Sequence, residues 1–378
     1  MCSLPPELLD KVIDESWDDV SALKACSLTS RVLLPRTRTY LFETIFLNTA
    51  TKFHVLCTDF PYLAQYVKRI TISTRRRNPG KPIRGDRSFP ALLRLIPPGQ
   101  LEHLKFEACN LNDMRESSKQ ALSSHSFRSA SVYTNCGISQ DIADLCTVFK
   151  GSRNLHLDFN GVLKDLPTSS TLPVPKGGSL AKLTVEGYYW PLFQTIIQTG
   201  IYPFSVDDLK SLSVTMHHPN EVNELKQFLD LPLRSLQHLS IAYDCIALNI
   251  SRNLCSLSMS IGVLGHSPIT DSLGWCLKNL KRARQMFVET FTINITFWER
   301  RPTEIHPNVS QFWSKFAGVL SDSEFGSIRN ISLIFSPVPL EGVEVRGLEL
   351  YQGVVEREMA PLISRGLVTV CHETQTHS

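Results

Sequence analysis

Several features that identify common protein classes are missing from this sequence. Its ten cysteines form no C-x-x-C pair, and none groups with histidine at the spacing of zinc ligands. No apolar run approaches the roughly 18 residues of a transmembrane helix. Residues 1–7 also lack the basic and apolar segments of a secretory signal. We therefore expect reduced thiols in a cytoplasmic or nuclear protein that has no membrane segment and no structural metal.

An excess of charge of one sign is also lacking, since the net charge is +3 over 378 residues. So small a charge gives no reason to expect a nucleic-acid or membrane partner. The motifs G-x-x-x-x-G-K-[ST], G-x-S-x-G and H-E-x-x-H do not occur, and no G-x-G-x-x-G follows a predicted strand. We expect a non-catalytic protein without a cofactor, and an unrecognised enzyme site is the minor alternative.

The composition is that of an ordinary folded protein, with 42% apolar and 20% charged residues. The chain is too long for one ordinary core. Its length suits a small module joined to a larger body, or an elongated array of repeats.

The first forty-odd residues predict three short helices. Proline before Glu7 suits a first helical turn, Asp18 is a plausible N-cap for the second helix, and Pro35 can open the third. Apolar residues recur at helical spacing in the first helix, at Leu8, Leu9, Val12 and Ile13. Three such helices hold more apolar side chains than so small a core can bury, which indicates a partner.

The same residues carry a family resemblance. The segments Leu4-Pro5-Pro6-Glu7-Leu8-Leu9-Asp10, Ala22-Leu23-Lys24-Ala25-Cys26-Ser27-Leu28-Thr29-Ser30-Arg31, Leu34-Pro35-Arg36-Thr37-Arg38 and Leu41-Phe42 resemble the F-box-like modules of fungal proteins. That resemblance implies a three-helix bundle that docks on a Skp-type adaptor, which a cullin scaffold holds in an SCF ubiquitin ligase. Where the family usually carries a tryptophan, this chain has Val32-Leu33-Leu34.

The resemblance assigns nine residues of the module as candidate contacts with the adaptor. They are Leu4, Pro5, Leu8, Leu9, Ile13, Leu23, Leu28, Leu33 and Leu34. The alternative is a helical cap whose leucines pack only against each other and the rest of the chain.

Beyond residue 46, the unit apolar-x-x-apolar-x-apolar recurs. In the middle of the chain its copies start 25 to 29 residues apart, at positions 101, 127, 152, 180, 209 and 236. The copy from Leu101 to Leu111 fits the leucine-rich-repeat formula L-x-x-L-x-L-x-x-[NC]-x-L, with Phe106 in place of one leucine. Cys109 and, in the copy that starts at 152, Asn160 occupy the slot whose short side chain can bond the turning backbone.

We therefore predict an α+β chain with three parts. Residues 1–46 form the F-box-like helical module, and residues 47–265 form an α/β solenoid that resembles degenerate leucine-rich repeats. Residues 266–378 form an irregular continuation or a cap. In such a solenoid the recurring leucines form the core, and each unit adds one parallel strand to an exposed face.

Polar side chains between the recurring leucines are candidates for contact with a target protein, although an ordinary solvated strand face has the same pattern. They are His103, Lys105, Glu107, Asn154, His156, Asp158, Lys182, Thr184, Glu186 and His238. The sequence thus predicts a substrate receptor of an SCF-type ligase. The alternative is a repeat scaffold that does not engage the ligase.

Overall fold

The computed structural model describes residues 5–73, 86–109, 111, 114–134, 140–159, 163–164, 178–187, 190–199, 204–216, 221–242, 253–263, 269–283, 288–297, 307–321, 327–337 and 346–372. The chain divides into two compact units. The first contains residues 1–180 and 201–205, and the second contains residues 181–200 and 206–378.

The first unit begins with three helices, α1 (Pro6–Glu15), α2 (Val20–Thr29) and α3 (Leu34–Glu43). A proline lies in the first turn of both α1 and α3, as predicted. The cap of α2 is Asp19 rather than Asp18, because the Asp19 carboxylate accepts the backbone N–H groups of Ser21 and Ala22, both at 2.9 Å.

The rest of the first unit alternates short strands with helical segments. The strands are β1 (Thr44–Leu47), β2 (Arg69–Ser73), β3 (His103–Glu107), β4 (Ser129–Thr134), β5 (Gln140–Asp141), β6 (Asn154–Phe159) and β7 (Leu163–Lys164). The helices are α4 (Thr51–Asp59), the 3₁₀ helix Pro61–Tyr66, α5 (Ser88–Leu95), α6 (Glu116–Ser123) and α7 (Ile142–Phe149). β1, β2, β3, β4 and β6 pair in parallel in that order, and β5 pairs separately with β7.

The second unit continues the alternation to the end of the described chain. Its strands are β8 (Lys182–Gly187), β9 (Ser211–Thr215), β10 (His238–Ala242), β11 (Ser256–Val263), β12 (Thr290–Phe297), β13 (Asn330–Pro337) and β14 (Val368–His372). Its helices are α8 (Trp190–Thr199), α9 (Glu221–Leu229), α10 (Ile269–Ala283), α11 (Pro307–Ser321) and α12 (Arg346–Ile363). All seven strands pair in parallel in chain order.

This architecture confirms the predicted fold class, a three-helix start followed by a leucine-rich-repeat-like α/β solenoid. The recurring leucines are core residues. Leu104, Leu155 and Leu183 are all buried, and each lies at the second apolar position of its repeat. From residue 266 onwards, helices α10, α11 and α12 alternate with strands β12, β13 and β14, as they do in the earlier repeats.

The first repeat starts earlier than the sequence indicated. α3 ends at Glu43 and β1 begins at Thr44, so no linker separates the helical module from the sheet. The Arg38 guanidinium lies 4.8 Å from the centre of the Tyr62 ring, which joins α3 to the 3₁₀ helix of the same repeat.

Cys109, at the turn position of the repeat formula, bonds the backbone as predicted. Cys109 is buried after β3, and its thiol donates to the backbone oxygens of Glu107 and Ile72, at 3.4 and 3.5 Å. Asn160, its counterpart in a later repeat, lies outside the described residues.

A largely buried ion pair connects α6 and α7, the helices that follow strands β3 and β4. The Lys119 ammonium on α6 lies 2.5 Å from the Asp144 carboxylate on α7, and only 9% of the lysine side chain is exposed. So well shielded a charge needs its partner, because water cannot replace it.

Candidate interaction surfaces

The three helices of the module are held together by apolar packing and by one polar cluster. The Asp14 carboxylate on α1 accepts from Nε and Nη2 of Arg36 on α3, and also from the Tyr40 hydroxyl group at 2.8 Å. These hydrogen bonds lower the pKa of Asp14 and raise the pKa values of Arg36 and Tyr40. α1 is thereby fixed against α3 with a defined face turned outwards.

The nine predicted adaptor contacts are not equally accessible. Ile13 and Leu23 are fully buried, so they belong to the module's own core and can support an interface only from beneath it. Leu9, Leu33 and Leu34 are half-buried.

Three of these nine residues are exposed, and one lies outside the described residues. Leu8 and Pro5 are exposed on and before α1, and Leu28 on α2 is 87% exposed. Leu4 precedes the first described residue.

The module exposes further large apolar side chains that the sequence did not single out as contacts. They are Val12, Trp17, Val20 and Val32. Trp17, in the turn between α1 and α2, is 63% exposed. In the sequence, Trp17 follows the apolar stripe of the first helix and interrupts its pattern. Nothing in that pattern indicates whether the ring is exposed or buried.

In the first unit, the strand face brings several predicted target contacts together. His103, Lys105 and Glu107 alternate with buried residues along β3, and Asn154, His156 and Asp158 do so along β6. β4 lies between these two strands and pairs with both. The six side chains therefore share one face, as the repeat pattern predicts.

An aromatic and charged cluster occupies the middle of this face. The Lys105 ammonium lies 2.7 Å from the Glu107 carboxylate and 4.9 Å from the centre of the Tyr133 ring. The Tyr133 and His156 rings lie 5.1 Å apart. Tyr133 was not predicted, although it occupies an outward position of β4. Tyrosine with neighbouring charges is a common centre of protein interfaces.

His103 lies at the start of β3 and is tied to the neighbouring strand. Its Nδ1 atom forms a hydrogen bond of 2.5 Å with the Ser129 hydroxyl group. Burial lowers the pKa of His103, and the positive charge of Arg69 lowers it further.

In the second unit, the predicted contacts lie at the first strands of that unit. Lys182 and His238 are exposed, and Thr184 and Glu186 are half-buried. Lys182, Ser211 and His238 occupy equivalent positions on three neighbouring strands. Further along the same unit, the outward positions of β11 and β12 carry uncharged side chains, and Asn294 donates to Ser258 and Ser260 at 3.3 and 3.1 Å.

The described parts of the chain hold no group of three histidine, cysteine or acidic side chains placed to bind a metal ion. His217 and His218 lie outside the described residues. None of the helices in the ranges given above has both the length and the hydropathy needed to cross a bilayer.

No family model matches the chain, and no curated protein matches it either. The architecture therefore carries the functional argument. A repeated α/β fold with a broad polar strand face is typical of a protein-interaction scaffold.

Proposed function

We propose that the chain is a non-catalytic substrate receptor of an SCF-type cullin-RING ubiquitin ligase. In this proposal the helical module binds a Skp-type adaptor, which a cullin holds, and the solenoid binds a target protein. The observation that carries the proposal is the apolar surface of the module. In the described part of the chain, eleven large apolar side chains are exposed, and six of them lie on or between α1, α2 and α3.

The number of these side chains argues against solvent as their final environment. Burying an exposed Val or Leu side chain stabilises a complex by roughly 1.5–3 kcal/mol. Five of these six side chains are Val or Leu and the sixth is Trp17, so their burial against a partner would contribute a large stabilising free energy. An apolar surface of this kind on a small helical unit is typical of a binding site for another protein.

The module also offers an aromatic anchor for such an interface. The tryptophan that the family usually carries after its second segment is replaced here by Val32-Leu33-Leu34, of which Val32 is exposed. Trp17 presents a large exposed ring on the turn between α1 and α2. Tryptophan is among the side chains that contribute most to interfaces.

The proposed mechanism is tethering. The solenoid holds the target, and the adaptor and cullin place it near the ubiquitin-charged enzyme of the ligase. The gain in rate then comes from effective concentration, and no residue of this chain has to take part in the chemistry.

One observation favours a second function, a repeat scaffold that does not engage the ligase. Leu33 and Leu34 are half-buried and smaller than the family's tryptophan. A module without that anchor can serve as a cap whose leucines support the first repeat.

Co-purification with a co-expressed Skp-type adaptor separates the two functions. The test variant combines Leu8→Asp and Leu28→Asp, which place charges on the exposed apolar surface of α1 and α2. The matched control is Leu95→Asp, because Leu95 is an exposed apolar residue of α5, outside the module. We expect the wild-type chain and the control to retain the adaptor, and the double variant to lose it.

Both variants should melt at the wild-type temperature, because the substituted side chains are exposed. Failure of the wild-type chain to retain the adaptor, or retention by the double variant, would count against the ligase function and in favour of the scaffold.

A further inference from the structure

In the first unit, the strand starts carry a row of basic side chains apart from the surfaces described above. Arg69 is the first residue of β2, and Lys68, Arg128 and Arg153 directly precede β2, β4 and β6. We call these four residues the basic rim. They lie at the same end of neighbouring parallel strands, since Arg69 is in register with His103, His103 with Ser129, and Ser129 with Asn154.

The rim charges are only weakly neutralised within the chain. Lys68 and Arg69 share the Glu43 carboxylate at the long distances of 3.9 and 3.8 Å. Arg128 and Arg153 are exposed, and neither forms an ion pair with another described residue. The other carboxylate at this end, Glu102, lies 3.8 Å from His103. Among the described residues at this end, four cations therefore accompany two carboxylates.

Among the described residues, two carboxylates lie at the opposite end of these strands. Glu107 ends β3, and Asp158 lies near the end of β6. Lys105 already pairs with Glu107. The weakly paired cations of the described part of this unit therefore lie at the strand starts, where they attract an anionic partner.

The spread of the rim favours several separate charges over one compact anion. β2 and β6 are three strand spacings apart, which is about 14 Å. Alternate residues of an extended peptide point to the same side about 6.7 Å apart, so three acidic residues at alternate positions span the rim. A single phosphate group needs donors that converge on one point.

A nucleic acid suits this surface less well. Its continuous line of phosphates extends beyond 14 Å in both directions. Such a strand would meet the Glu102 carboxylate between the rim cations and the Glu43 carboxylate beside them. The net charge of the whole chain is only +3.

We propose that the basic rim binds an extended acidic segment of a protein partner, with Asp or Glu side chains at alternate positions paired to Arg69, Arg128 and Arg153. The proposal rests on the target-binding half of the proposed function and makes no use of the adaptor. It names the chemistry of the target segment, which the strand-face pattern alone did not provide.

The test is fluorescence anisotropy of the full chain with a labelled peptide, GSDSDSDSG. The comparison peptides are GSNSNSNSG, GSKSKSKSG and a neutral peptide with a single phosphoserine, together with a short single-stranded oligonucleotide. We expect the acidic peptide to bind about tenfold more tightly than the neutral asparagine peptide, and to lose affinity severalfold between about 50 and 300 mM NaCl.

Charge variants locate the site. Combining Arg128→Glu with Arg153→Glu should weaken the acidic peptide by about tenfold or more, and Glu102→Gln should strengthen it about two- to threefold. The matched control is Arg329→Glu. Arg329 precedes β13 in the second unit, has a side chain 79% exposed, and should change the affinity less than about twofold. If the double reversal lowers the melting temperature, Arg128→Gln with Arg153→Gln replaces it.

Four results would overturn the proposal. They are no salt-dependent binding of the acidic peptide, equal effects of the rim and control variants, tighter binding of the single phosphoserine peptide, and tighter binding of the oligonucleotide. The rim variants should leave adaptor binding unchanged from that of the wild-type chain, whatever the outcome of the adaptor experiment. A failed peptide experiment is therefore distinguishable from a failed adaptor experiment.

Discussion

Asp14 on α1 accepts from Nε and Nη2 of Arg36 on α3 at 2.7 and 2.8 Å, and the two residues are 22 positions apart in the sequence. This bidentate geometry is the strongest form of a side-chain ion pair. It determines how α1 lies in the module, and therefore which of its apolar residues face outwards.

We predict that Asp14→Asn weakens the module in a way that depends on pH. The folded-state pKa of Asp14 is lowered, so the carboxylate stabilises the fold above its ordinary pKa of 3.8. That contribution is lost as the pH falls through the lower folded value. The melting temperatures of Asp14→Asn and wild type should differ at about pH 7 and approach each other below about pH 3.

Circular dichroism melts across this pH range provide the measurement. Asp10→Asn is a suitable control, because Asp10 is an exposed acidic residue on the same helix. A difference between Asp14→Asn and wild type that stays constant down to the lowest pH would show that the ion pair does not supply the stability.

Trp17→Ala should weaken adaptor binding by about tenfold or more without loss of stability, because an exposed ring adds little to the fold and much to an interface. Titration of the purified adaptor against the full chain measures the change. Phe46→Ala is the comparison, since Phe46 is an exposed aromatic residue of β1, outside the three helices. Equal loss in both variants would remove Trp17 from the interface.

Lys119→Met should destabilise the first unit by about 3–5 kcal/mol, because the Asp144 carboxylate would be left without its shielded cation. Adding Asp144→Leu should restore most of the lost free energy of unfolding, since two apolar side chains can fill the same space. Urea unfolding of the two variants and the wild type measures the effect. A double variant as unstable as Lys119→Met would show that the ion pair is not the cause.

Cys57 should resist thiol reagents while the chain is folded. Burial raises the pKa of its thiol to about 11, so almost no reactive thiolate is present at neutral pH. Cys255 and Cys371 are exposed and should react first. Mass spectrometry after a short treatment with iodoacetamide, with and without denaturant, identifies the modified cysteines. Early modification of Cys57 would indicate that α4 opens readily.

The sequence predicted the repeated architecture well, because burial of each leucine at fixed spacing is a local property of one strand. Phe106 and Val185 fall at the last apolar position of their repeats, and both are buried. The Cys109 slot was predictable for the same reason, since its bonds go to backbone that the repeat itself brings close.

The surfaces were harder to predict, because they depend on contacts between distant segments. Leu8 and Ile13 belong to one apolar stripe, yet only packing against α3 decides that Ile13 is buried and Leu8 exposed. The first β-strand was also missed, because its four residues follow α3 directly. The basic rim was not predicted, because the alternating pattern identifies outward positions only within strands. Arg128 and Arg153 lie just before the strands β4 and β6.

The direct passage from Glu43 to Thr44 has a mechanical consequence. Without spare residues at that joint, and with Arg38 held over Tyr62, the module cannot swing freely about the first strand. In the proposed function, a protein bound to α1 and α2 would therefore be held at a fixed angle to a protein bound on strands β2 to β6. The relative orientation of the two bound proteins would then be set by the fold of this chain. Inserting a few glycines between Glu43 and Thr44 would make this junction flexible and remove the fixed orientation.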